Sequence, residues 1–249
     1  MGMAFFLGGL KNGLQVFHQK KASRNAILLI LAVITLVIPS VLSHYIGPET
    51  SLKVETLSLG VAGVMIILYV LALIYGIKSK DAPLSHAPIE EKTHHHLWTK
   101  QKSIIVLTLS TLGVVILSEF LIGSVEPVIA QLGVSEFFIG IILIPIIGNV
   151  AEHLVAVTSA VRNQMELSVE IAVSSSLQIA LFVAPVLVFI SLLLGNPLQL
   201  IFNPFELLAL ITGIIITALV CADGESNWLE GVELLAVYAL LGLAFFLLP

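Results

Sequence analysis

Cysteine occurs once, at Cys221, which excludes an intramolecular disulfide and any cysteine-rich metal site. Charge is scarce as well: 11% of the 249 residues are charged against 58% hydrophobic, with a mean hydropathy of +1.08. A soluble globule of that composition would carry more apolar surface than its core could hide. The start lacks a basic region and a clear cleavage site, so Met1–Leu10 reads as the end of a longer helix rather than a signal peptide. Phe6 stands where a myristoylation motif wants Ser or Thr. Polar and apolar residues do not alternate, which argues against barrel strands. The net charge of −5 says little, and no nucleic-acid partner is expected.

What is there is apolar length. Seven stretches can cross a hydrocarbon layer of roughly 30 Å at about 1.5 Å per residue. They are Asn25–Ile46, Thr56–Ile77, Ile104–Ala130, Phe137–Ala160, Ile171–Leu194, Pro204–Cys221 and Trp228–Leu248. The fold class is therefore an all-α polytopic membrane protein, with the lipid bilayer as its first partner. Ten of the eleven Lys and Arg residues fall in three connections: Lys11 to Arg24, Lys78 to Lys102, and Arg162. Only Lys53 lies in an intervening loop. Basic loops stay on the cytoplasmic side, so those three connections are assigned there and the C-terminus outside.

Asn12-Gly-Leu-Gln-Val-Phe17 resembles Asn196-Pro-Leu-Gln-Leu-Ile-Phe202 apart from one inserted residue. Each copy follows an apolar segment and precedes two spans, and the charge rule puts the copies on opposite sides. That is the pattern of an inverted-topology repeat, common in secondary transporters. By the spacing of the copies, the counterparts of Ile104 and Glu152 fall before Met1. Residues 1–78 then read as the remainder of an N-terminal repeat, 79–103 as a cytoplasmic linker, and 104–249 as a C-terminal repeat of five spans. The linker run His94-His95-His96 can bind metal or sense pH, although a solvated loop accounts for it more simply.

One motif carries chemistry in the middle of an apolar span: Ile144-Pro-Ile-Ile-Gly-Asn-Val-Ala-Glu-His153. An ionisable group at bilayer depth costs at least about 2.5–3.5 kcal/mol, which makes Glu152 a functional candidate by default. Pro145 lacks an amide proton and frees the Ile141 carbonyl, and Gly148 lets the chain leave helical geometry. Such backbone is tolerated at depth only where it lines a cavity or is packed in protein. Asn149 and Glu152 share a helix face, as do Ser175 and Gln178, or Ser174 and Gln178, in the next span. Carbonyl, amide, hydroxyl and carboxylate oxygens suit a hard cation such as calcium. His153 points about 100° away from Glu152, as a neighbour or a step on a proton path. Glu119 and Glu126 lie on one face of the preceding span, with Pro127 ending that turn. Glu206 follows Asn203-Pro204-Phe205, an ordinary helix start that Asn227 and Glu230 repeat.

Gly148-Asn-Val-Ala-Glu-His153, Ser174-Ser-Ser-Leu-Gln-Ile179 and Asp223-Gly-Glu-Ser-Asn-Trp-Leu-Glu-Gly231 together resemble the bacterial calcium/proton exchanger family of the cation/calcium antiporter superfamily. Ser118-Glu-Phe-Leu-Ile-Gly-Ser-Val-Glu-Pro127 and Asn203-Pro-Phe-Glu-Leu207 are similar to that family too. The resemblance implies an inverted-repeat exchanger fold of eleven spans, with a Gly-Asn-x-x-Glu motif in each repeat. Only the second motif is present here. It implies calcium/proton antiport across the cell membrane by alternating access, with Glu152 binding Ca2+ or H+ in turn. Gly148, Asn149, Gln178 and Ser175 would complete the ion's shell, with Glu119, His153 and Glu126 as proton-pathway or accessory groups. No cofactor and no enzyme activity are expected, since Glu152-His153 lacks the second histidine of a zinc protease helix. Partners are the two ions and either the absent N-terminal helices or a second copy of the chain. The alternatives are a non-transporting fragment, half of a split exchanger, or an exchanger for another cation.

Overall fold

The computed structural model describes residues 1–48, 51–78 and 99–248. Every apolar stretch is helical, because in hydrocarbon a segment must satisfy its own backbone groups. A short helix α1 (Gly2–Asn12) precedes α2 (Gln19–Ile46), α3 (Leu52–Lys78) and α4 (Lys100–Leu132). A broken span follows, made of α5 (Glu136–Phe138), a π-helical turn Ile139–Leu143, α6 (Ile144–Gly148) and α7 (Val150–Val161). The next span joins α8 (Met165–Gln178), a π-helical turn Ile179–Val183 and α9 (Ala184–Leu193). Then come α10 (Pro204–Val220) and α11 (Trp228–Leu247). The linker tract with His94, His95 and His96 lies outside the described residues.

Local signals set the helix ends. The Asn203 side chain accepts the Phe205 and Glu206 amides at 2.9 Å, and the Glu206 carboxylate accepts the Asn203 amide at 2.8 Å. This is the reciprocal cap expected from the sequence, and Asn227 with Glu230 repeats it at α11. The expectation that Pro127 ends its turn is corrected: α4 runs through Pro127 to Leu132 and stops at Gly133, left-handed at φ 62°. Proline forfeits one hydrogen bond, whereas ending a helix inside hydrocarbon would orphan several backbone groups.

The contacts divide the chain into two compact units, Met1–His86 with Val150–Ala239, and Ala87–Asn149 with Leu240–Pro249. In the first, α2 packs against α3, α8 and α10, while α1 packs against α7 and α3 against α9. Leu29, Ala32 and Leu36 of α2, Ala62 and Met65 of α3, and Val169, Val173, Leu177 and Leu181 of the α8 span form its core. Large apolar side chains such as Ile27, Ile34 and Ile67 are exposed, as the lipid-facing surface of a membrane protein requires.

The two copies of the repeated hexamer lie at opposite ends of α2, which at 28 residues is about 42 Å long. At its start, Gln15–Val16 (β1) pairs antiparallel with Glu225–Ser226 (β2), and the Phe17 amide donates to the Gly224 carbonyl at 2.8 Å. Gln15 donates to the Ala160 carbonyl and to Asn163 Oδ1, both at 2.9 Å. Near the other end of α2, Ser40 Oγ accepts the Phe202 amide at 2.9 Å and Ser58 Oγ of α3 accepts the Leu200 amide at 3.2 Å. Two alike connections at opposite ends of one helix are what an inverted repeat demands.

Glycine permits one close approach that a side chain would block. A Cβ on Gly9 of α1 would collide with the backbone of Trp228, and one on Gly231 of α11 with the backbone of Phe6. In the second unit, Ser135 Oγ accepts the Phe138 amide and donates to the Phe245 carbonyl, both at 3.2 Å. Phe138 meets Phe246 edge-on at 5.3 Å between ring centres.

Candidate cation site

The carboxylate motif begins with proline. Pro145 cannot donate an amide to Ile141, and the preceding turn widens to a π turn in which the Ile144 amide reaches the Ile139 carbonyl. Turns of this kind are rare and concentrate at functional positions. The helix then resumes as α6 and breaks at Asn149, whose φ of −106° and ψ of 20° leave the helical region. Gly148 itself is helical, which corrects the sequence reading by one residue. The reason is the asparagine: its backbone amide and its side-chain Nδ2 both donate to the Pro145 carbonyl, at 3.1 and 2.9 Å. With Nδ2 so committed, Oδ1 is the end of Asn149 that can face a cation.

Glu152 stands in the first turn of α7 and is exposed, as is His153. Ala156 and Ala160 of the same helix are buried, and a Cβ on Gly8 of α1 would lie 3.0 Å from that of Ala160. Glu152 lies one turn before Ala156 on that stripe. A tight hairpin joins α7 to α8: Asn163 adopts φ 61°, and the Gln164 amide donates to the Ser159 carbonyl at 2.9 Å. Asparagine tolerates that left-handed geometry better than other non-glycine residues. The two helices pack along their length, and Glu152 and Ser175 both stand about 17 Å from the turn at 1.5 Å per residue. Glu152 and Ser175 are thus level on adjoining helices.

Ser175 is half-buried, and Gln178, the last residue of α8 before its π turn, is exposed. Ser176 instead bonds back to the Ala172 carbonyl at 3.1 Å, the ordinary helical use of a serine. Glu119 is exposed on α4. The side chain of Glu126 lies outside the described residues. Among the described residues no three His, Cys, Asp or Glu side chains gather as a metal site. What α7 and α8 offer at the level of Glu152 and Ser175 is one carboxylate with amide and hydroxyl oxygens.

Two features escaped the sequence reading. The π turns have no side-chain signature beyond the proline two residues past each, Pro145 and Pro185. The other is a buried ion pair, Lys21 Nζ to Glu170 Oε2 at 2.8 Å, linking the start of α2 to α8. Its signal was Glu170 standing between Val169 and Ile171. Cys221, in the turn after α10, is a free cysteine and is buried.

Residues 102–247 match the sodium/calcium exchanger protein family. Over 268 residues the chain is 44% identical to the Ca2+/H+ antiporter of Aphanothece halophytica, a match covering all of this chain and 70% of that protein. It is 41% identical to the Ca2+/H+ antiporter ChaA of Bacillus subtilis, over 99% of this chain and 70% of that one. The solved structure of native YfkE superposes with a TM-score of 0.82 at 39% identity, covering 99% of this chain and 70% of that chain. A helical bundle with like connections at opposite ends, a span broken beside a lone carboxylate, and these likenesses converge: the chain belongs to the bacterial calcium/proton exchangers of the cation/calcium antiporter superfamily.

Proposed function

We propose that this multi-pass membrane protein exchanges calcium for protons, with Glu152 binding the two ions in alternation. The observation that carries the reading is the helix break at Asn149 three residues before a carboxylate, in an apolar span. Such a break presents backbone carbonyls, and with Asn149 Oδ1 and the Glu152 carboxylate these are the hard oxygens calcium prefers. Gln178 and Ser175 add donors from α8, and the Gly148 carbonyl adds one next to Asn149. One carboxylate cannot hold a proton and a calcium ion together, so the two fluxes run in opposite directions. His153, Glu119 and Glu126 are proposed as accessory or proton-path groups. Beyond protonation and deprotonation of the carboxylate the exchange makes and breaks no covalent bond, so no catalytic residue and no cofactor are assigned.

The remaining charge of the ion is matched by a second carboxylate in this reading, supplied by helices equivalent to α4 to α7 or by a second copy of the chain. Sharing one ion would couple the two carboxylates and raise the pair's apparent proton affinity toward neutrality. We assign residues 1–78 and 104–249 to the two repeats. The connection before α2, the linker 79–103 and Arg162 are placed in the cytoplasm and the C-terminus outside, on the distribution of Lys and Arg.

The test is calcium uptake by everted membrane vesicles with an acid interior, comparing the chain with its Glu152→Gln variant. Uptake that follows the pH gradient and is lost in Glu152→Gln, with the protein still in the membrane, is the expected result. Unchanged uptake in the variant would remove Glu152 from the mechanism. Gradient-independent uptake would remove the proton as the counter-ion.

A further inference from the structure

The pair Lys21–Glu170 is buried between α2 and α8, its side chains 8% and 6% exposed. Desolvating two charges costs several kcal/mol per ion, and an aliphatic pair of similar volume often holds helices as well or better. Adhesion alone therefore does not explain it. The pair borders a cavity of about 10 Å3, room for one water, which His18, Asn25 and Glu166 also line. Asn25 is 2% exposed, and its Oδ1 has no hydrogen-bond partner among the described residues. A polar, directional contact is thus maintained in the seam of the two helices.

The seam above it is smooth. Val173, Leu177 and Leu181 share the core with Ala22, Leu29 and Leu36 of α2. Aliphatic side chains of that kind fix distance but weakly fix register, and a slip of one residue rotates a helix face by about 100°. The stretch Glu170–Gln178 carries Ser175 and Gln178 and ends at the π turn Ile179–Val183. Between those points α8 is a rod of about 12 Å, pinned at one end by charge and followed at the other by an irregular turn. Lys21 stands on the fixed side: the chain before it is held by the β1–β2 pairing and by Gln15.

We propose that Lys21 and Glu170 are positioning residues, setting the rotation and height of α8 so that Ser175 and Gln178 face Glu152. The inference rests on the reading of α7 and α8 as the cation site. Neither residue touches the ion; both act through the helix.

The test uses the full chain carrying Cys221→Ala and a reporter cysteine at exposed Ser176, Ser176→Cys. Two quantities are read from each variant: the rate of maleimide labelling at position 176, and the calcium concentration giving half-maximal uptake. Lys21→Glu and Glu170→Lys are expected to change labelling about threefold or more and to raise half-saturation about tenfold, as loss of an outer-shell support does. Uptake at saturating calcium should change far less. The charge-exchanged double Lys21→Glu/Glu170→Lys should restore both quantities. The aliphatic double Lys21→Met/Glu170→Met keeps the packing without the charge, and should remain shifted even if a single variant does not fold. Altered labelling with unaltered half-saturation would uphold the pair's effect on α8 and overturn the siting of calcium there. Wild-type labelling in the aliphatic double, or no restoration in the exchanged pair, would overturn the positioning role.

Discussion

Two spans of this protein begin alike and end differently. Ile139–Leu143 and Ile179–Val183 are both π turns, and each is followed two residues later by a proline, Pro145 or Pro185. Past that point the first span breaks at Asn149, while the second continues as α9 to Leu193. Where the first has Gly148-Asn149, the second has Val188-Phe189. Proline is thus not what breaks the helix. A π turn absorbs it by letting a carbonyl bond five residues ahead instead of four. The break needs a residue that can turn back on its own helix, and Asn149 does so by doubling its bonds to the Pro145 carbonyl. Val188, by contrast, is an aliphatic side chain buried in the core of its unit.

The comparison is broken most forcefully by making the first span copy the second. Gly148→Val with Asn149→Phe should heal the helix and remove an amide ligand together, cutting gradient-driven calcium uptake about a hundredfold or more. Uptake near the wild-type rate would show that the break is not needed. The reverse graft, Val188→Gly with Phe189→Asn, removes a buried side chain and adds helix-breaking residues. It should destabilise the protein by about 2–4 kcal/mol, read as a lower Tm in detergent. An unchanged Tm would mean that α9 is not held by its packing. The smallest effect is expected from Pro185→Ala, which restores an amide donor and lets the turn relax toward α. Stability should change by less than about 1 kcal/mol and amide exchange at Ile179–Val183 should slow. Faster exchange there would contradict the proline's assigned part.

The apolar helices were legible because apolar length is a one-dimensional property: of the seven expected spans, five are long and apolar enough among the described residues, a sixth is the bent pair Ile139–Gly148 and Val150–Val161, and Pro204–Val220 is shorter. The Asn203–Glu206 cap was legible too, its partners being three residues apart. The carboxylate was legible because Glu152 is conspicuous in apolar surroundings. The position of the break was off by one: glycine's freedom is visible in a sequence, whereas Asn149 bonding to Pro145 depends on the helix before it. The Lys21–Glu170 pair was missed for a different reason, although Glu170 stands out between Val169 and Ile171. Lys21 counted correctly among the basic residues of a connection, and only the packing of α2 on α8 turns it inward. The pairing of Gln15–Val16 with Glu225–Ser226 is two residues long and leaves no alternation to detect.

That two-residue ribbon fixes an order of events in the making of the protein. Val16 cannot close on Glu225 until about two hundred further residues have been synthesised, roughly ten to forty seconds at common elongation rates. For about the first two-thirds of that interval the connection before α2 has neither the ribbon nor the Ala160 carbonyl to bind, and until its end Gly9 has no Trp228 to close against. Residues 1–16 are therefore inserted before their partners and locked only when residues 225–228 arrive, so their final hydrogen bonds report that the chain through Trp228 has reached the membrane.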